Sequence, residues 1–151
     1  MNAPRALQQL GKLVELRERE VDRLTNDLAT QQAERERFLG NLERLEKLSS
    51  QASAVAPQGA TPGTLSPALS LNSSGYKQIV LELARSHRLD LALHDANLER
   101  TKRLVTEAAR RHQGLDQVVA HKRAALHRSQ RVRDQKRLDE IATQMWLKGR
   151  G

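Results

Sequence analysis

Residues 7–45 read LQQLGKLVELREREVDRLTNDLATQQAERERFLGNLERL. With position a set at Leu7, successive a and d positions fall on Leu7, Leu10, Val14, Arg17, Val21, Leu24, Leu28, Gln31, Arg35, Phe38, Leu42 and Leu45. Nine of these twelve are apolar, and an apolar seam that recurs every three and four residues is the pattern that winds one helix against another. Glu15, Glu18, Arg19 and Asp22 fill the flanks, where oppositely charged i,i+4 neighbours contribute about 0.2–0.5 kcal/mol each. Pro4 suits a first helical turn, where its missing N–H is not needed. A first helix is therefore expected over 4–48.

The next segment, 49–75, contains Pro57, Pro62, Pro67, Gly59 and Gly63, many Ser, and no charged residue. It reads as a flexible connection, with Ser73 or Ser74 placed to cap a second helix. Helix signals resume without a proline over 76–147. A second seam runs Ala84, His87, Leu91, His94, Leu98, Thr101, Val105, Ala108, His112, Leu115, Val119, Lys122 and Leu126. The phase then breaks, and a new stripe forms from Leu138, Ile141, Ala142 and Met145, with Trp146 beside it.

Two helices and one connection predict an all-α fold, a long two-helix antiparallel coiled-coil hairpin, as a single unit over 1–151. A turn centred on Pro62 pairs positions whose numbers sum to about 124, setting Gly40 against Ala84 and Leu10 level with Gly114. The first helix is then exhausted near residue 120 of its partner. The C-terminal helix overhangs beyond that point.

Charge singles out the same region. The net charge is +8 from 26 basic and 18 acidic residues. Basic and acidic residues cancel over 1–50 and again over 51–100, so the whole excess lies in 101–151. A polyanionic or acidic partner for that end is one reading, and a solvated basic helix face is the other. The absence of cysteine leaves no disulfide or thiolate site and fits a reducing compartment. The first residues, MNAPRALQQLGKL, hold no apolar run of signal-peptide length and no stretch approaches a membrane span, so neither is expected.

The sequence offers no catalytic chemistry. His87 and His94 share a face but lie about 10 Å apart along a helix, too far to share a metal, and no HxxxH or HExxH spacing occurs. No glycine-rich phosphate loop or placed nucleophile is recognisable, so no enzymatic activity, metal or cofactor is expected.

Three short runs carry a resemblance. Asp134-Gln135-Lys136-Arg137-Leu138-Asp139-Glu140 resembles the acidic-Gln-Lys-x-apolar-Asp-Glu run of the FliJ family, the small coiled-coil component of the bacterial flagellar type III export apparatus. Gln31-Gln32-Ala33-Glu34 is similar to a segment late in that family's first helix, and Tyr76, Val80, Leu83 and His87 match its spacing at the start of the second. The resemblance implies a non-enzymatic, antiparallel coiled-coil stalk in the hexameric flagellar export ATPase, similar to the gamma subunit of a rotary ATPase. It implies further contacts with the membrane-embedded export gate and with substrate-escort chaperones. It also implies a cytoplasmic protein held peripherally at the inner face of the cell membrane at the flagellar base.

Carried onto this chain, ATPase binding falls on Arg133, Lys136, Arg137, Leu138, Ile141 and Met145, and gate binding on Leu42, Leu45, Tyr76, Val80, Leu83 and His87. Two features depart from the family. Its tyrosines late in helix one are replaced by Phe38, Leu42, Leu45 and Leu48, and the uncharged connection is long. The residues alone also allow Leu42, Leu45, Val80 and His87 to be seam positions. They leave open a stalk or chaperone of a virulence type III secretion system. A basic coiled-coil nucleic-acid-binding protein is the remaining class, although no aromatic stacking platform supports it and neither nucleic acid nor a small-molecule ligand is expected as partner.

Overall fold

The computed structural model describes residues 3–54 and 67–151. Two helices account for them, α1 over Ala3–Ala54 and α2 over Pro67–Lys148, and they pack against each other as an all-α helical hairpin. No strand occurs among the described residues. Both helices run further than the expected spans. α1 continues six residues past Leu48, and α2 begins at Pro67, a residue type favoured in a first turn because its ring pre-sets the helical φ. Ser73 and Ser74 consequently lie inside α2 and cap nothing. The expected turn residues Pro57, Gly59, Pro62 and Gly63 fall outside the described residues.

The chain divides into two compact units, Leu24–Val105, and Met1–Arg23 together with Thr106–Gly151. Both are built on the seam read from the sequence. All twelve a and d residues of α1 are half-buried, while the residues between them are almost all exposed. On α2, every expected seam residue from Ala84 to Leu126 recedes from solvent except Lys122.

In the unit Leu24–Val105 the core is asymmetric. The deeply buried residues, Val80, Ala84, Leu98 and Thr101, all belong to α2. Ala84 is 2% exposed because a small side chain sits close to its own backbone, beneath whatever faces it. Phe38 sets the register. Its ring meets His87 edge-on at 6.0 Å and His94 tilted at 5.4 Å, so it lies level with the turn around Leu91. Facing positions therefore sum to about 129, correcting the value of 124. Leu45 rather than Gly40 is level with Ala84, and a Cβ built on Gly40 meets nothing within 4 Å. The midpoint of the connection is a poor guide to register because an aromatic side chain wedged between two imidazoles fixes the pairing more tightly than a turn does.

Polar groups in this unit reinforce that register. His94 Nε2 lies 2.7 Å from the main-chain oxygen of Gln31, Arg35 Nε lies 2.7 Å from Asp95 Oδ1, and Arg88 reaches Glu46 at 2.8 Å. The Asp95 carboxylate, accepting from Arg35, raises the guanidinium pKa further above its already high value. One buried acceptor, Gln31 Oε1, has no hydrogen-bond partner among the described residues. A polar side chain within a seam weakens it but selects one alignment over slipped alternatives.

In the second unit, Ala108 and Val119 are the buried residues, with Val119 2% exposed. At its far end Ala3, Ala6 and Leu7 share a groove with Lys122, Ala125, Leu126 and Ser129. Lys122 lines this groove while remaining exposed, since a lysine lays its alkyl stem on apolar surface and keeps the ammonium in water. The partnered part of α2 thus extends to Ser129, well past the expected limit near residue 120. Beyond Leu126 every residue to Gly151 is exposed.

Candidate functional site

The segment of α2 after Ser129 is a regular helix with no α1 residue alongside. Its backbone satisfies itself, ending with the Gly149 N–H donating to Met145 O at 3.0 Å. Its large apolar side chains have no such closure. Val132, Leu138, Ile141, Met145, Trp146 and Leu147 are all exposed large apolar residues, Met145 to 70%.

Most cations of this segment make no ion pair either, and the Arg150 guanidinium lies over the Trp146 ring, 4.5 Å from its centroid. Among the described residues, none of Arg131, Arg133, Lys136, Arg137 and Lys148 takes part in an ion pair. This contrasts with Arg35 and Arg88, which bridge the helices in the unit Leu24–Val105. Arg133, Lys136 and Arg137 gather on one shallow patch with Gln130, Asp134 and Glu140. Leu138, Ile141 and Met145 recur at three- and four-residue spacing on a neighbouring stripe. All six residues expected for ATPase binding are therefore accessible together on one helix.

The six residues expected for gate binding divide instead. Tyr76 and Leu83 are exposed, each close to half of its surface. Val80 is 5% exposed, and Leu42, Leu45 and His87 are half-buried on the seam, His87 against Phe38. The heptad phase accounts for this split, since Val80 and His87 fall on the same phase as Ala84 and Leu91. Four aliphatic side chains in the first half of α2 and outside the expected set, Leu71, Ile79, Leu89 and Leu93, are more exposed than Tyr76. Their signal in the sequence is that they are apolar yet off the seam.

Among the described residues, no three His, Cys, Asp or Glu side chains come together as metal ligands do, and no helix is long and apolar enough to cross a membrane. The grooves lie open along the helix pair, as the one between Gln32, Arg35, Asp95 and Lys102 does. Such surfaces suit protein or membrane faces rather than a small substrate.

The family model for the flagellar FliJ protein matches residues 6–151, essentially the whole chain. The chain belongs to the FliJ family. Membership makes it a coiled-coil protein related to flagellar type III export, within a family of non-enzymatic, export-associated proteins. No curated protein and no solved structure gives a significant match. The matched residues include both the heptad seam and the unpartnered segment.

Proposed function

We propose that this protein is the central stalk and cofactor of the hexameric flagellar export ATPase, linking it to the export gate and to substrate-escort chaperones. The observation that carries this reading is the unpartnered helix after Ser129, which holds unpaired cations beside an exposed apolar stripe. Side chains of this kind are stabilised by burial against a partner, at about 25 cal/mol per Å² of apolar surface removed from water. The cations steer approach toward a surface carrying carboxylates and fix its orientation. Arg133, Lys136 and Arg137 take the charged contacts, and Leu138, Ile141 and Met145 the apolar ones.

The gate contact rests on Tyr76 and Leu83, the exposed pair among its expected residues, with Val80 and His87 supporting them from the seam. A protein acting in this way is cytoplasmic and sits peripherally at the inner face of the cell membrane.

The test is the steady-state rate of the purified export ATPase with and without this protein. Leu138→Glu combined with Ile141→Glu is expected to abolish stimulation while circular dichroism and melting temperature stay at the parent values. Undiminished stimulation by that variant removes the basis of the stalk reading.

A further inference from the structure

In the unit Leu24–Val105, α2 carries apolar side chains on two faces, and α1 covers one of them. Ile79, Leu89, Leu93 and Leu104 are exposed, to 65%, 65%, 69% and 42%. At about 100° per residue they fall within about 80° of one another. Their centre lies about 150° round the helix from the buried Val80, Ala84 and Leu98, so α1 cannot reach it.

This outer face has a heptad of its own. Alternate steps of three and four residues from Ile79 lead through Leu89 and Leu93 to Arg103, the spacing of a second coiled-coil seam. The seam is complementary to itself when reversed. With facing positions summing to 182, Leu89 meets Leu93 of a second copy, Ser86 meets Ala96, and Glu82 meets Arg100. Ile79 lies on the alkyl stem of Arg103, beside Leu104. Large side chains face large ones, small face small, and acid faces base. Among the described residues neither Glu82 nor Arg100 takes part in an ion pair.

Other alignments fit less well. In a parallel pair Glu82 faces Glu82 and Arg100 faces Arg100. A slip of one heptad in either direction sets a leucine against Glu82 or Arg100. On the flanks of the antiparallel pair, Arg85 comes beside Glu99, whose carboxylate also accepts from Lys102 at 2.7 Å. The two Asp90 carboxylates meet near the two-fold axis on the other flank and oppose association.

We propose that the chain forms a two-fold symmetric dimer in which this face of α2 packs antiparallel on the same face of a second copy. None of the paired residues is assigned to the ATPase or the gate, so the inference stands apart from both readings.

The test is sedimentation equilibrium of the full chain from ~1 μM to ~1 mM. The mass is expected to rise from 17.0 kDa toward twice that value. Leu89→Glu with Leu93→Glu is expected to hold it at the monomer, with unchanged circular dichroism because both side chains are exposed. Arg100→Glu is expected to weaken association on the order of tenfold, and adding Glu82→Arg to restore it. Asp90→Asn is expected to strengthen it.

The chain has no cysteine, so introduced ones report orientation directly. Ser86→Cys mixed with Ala96→Cys is expected to give a disulfide-linked pair on oxidation, and Ser86→Cys alone none. Linkage of Ser86→Cys to itself is a parallel pair and overturns the proposal. A dimer that survives the two glutamates uses another surface and overturns it too. A monomer up to ~1 mM also overturns it and leaves the outer stripe to a different protein.

Discussion

His94 Nε2 lies 2.7 Å from the main-chain oxygen of Gln31, and a carbonyl oxygen can only accept, so the imidazole donates across the seam from this nitrogen. The same ring packs against Phe38. One α2 side chain thus supplies both an apolar contact and a directional bond to the α1 backbone.

Replacing His94 by Ala removes both and is expected to destabilise the hairpin by about 1–3 kcal/mol, read from urea unfolding of the full chain. His94→Leu is expected to recover most of that loss. The Gln31 carbonyl keeps its helical partner four residues on, so no polar group is orphaned by the leucine.

Gln31 Oε1 is buried with no partner among the described residues. Gln31→Leu removes that acceptor and is expected to stabilise the hairpin by about 1–3 kcal/mol, measured by thermal melting. The cost falls on alignment. Disulfide cross-linking between cysteines introduced at positions 35 and 95 is expected to compete with slipped pairings more often in this variant than in the parent.

Gly40 and Gly114 sit inside helices, and a Cβ added at either meets nothing within 4 Å. Alanine at each is expected to raise stability by about 0.5–1 kcal/mol through the unfolded chain's lost freedom. They belong to different units, so their effects are expected to add in the double variant. Ala84→Leu is the opposite case. It forces three extra carbons into a position that is 2% exposed and is expected to cost about 1–3 kcal/mol in urea unfolding.

Lys47 Nζ lies 2.9 Å from Glu43 Oε1 one turn earlier, and this hydrogen bond holds the Glu43 carboxyl below its ordinary value of 4.5. A folded-state pKa below the unfolded one adds stability that is fully present above the unfolded value and is lost as pH falls through the folded one. The titration of Glu43 followed by carbon NMR is expected to have its midpoint below 4.5, and Lys47→Ala is expected to move it back toward that value.

Among the residues proposed for gate binding, Val80→Ala is expected to cost about 1–2 kcal/mol of stability because Val80 is buried, in chemical or thermal unfolding. Leu83→Ala is expected to leave stability within about 0.5 kcal/mol of the parent, being exposed, and to act on gate binding alone. The two variants separate packing from recognition in a region where both fall on one helix.

The heptad phase was legible from the residues alone. It is local chemistry, an apolar side chain every three or four positions, and Leu7 to Leu45 on α1 and Ala84 to Val119 on α2 recede from solvent as that phase requires. The charge of the C-terminal third and the stripe from Leu138 to Met145 were equally open to reading, since an overhang needs only one helix longer than the other. Register was not legible. It depends on which side chains meet across the seam, and Phe38 wedged between His87 and His94 moved the pairing away from the midpoint of the connection. The phase allowed Val80 a place on the seam, and only the packed pair of helices decided between packing and recognition there, leaving Val80 5% exposed with Tyr76 and Leu83 half in water, because side chains three or four residues apart differ by about 40–60° around a helix.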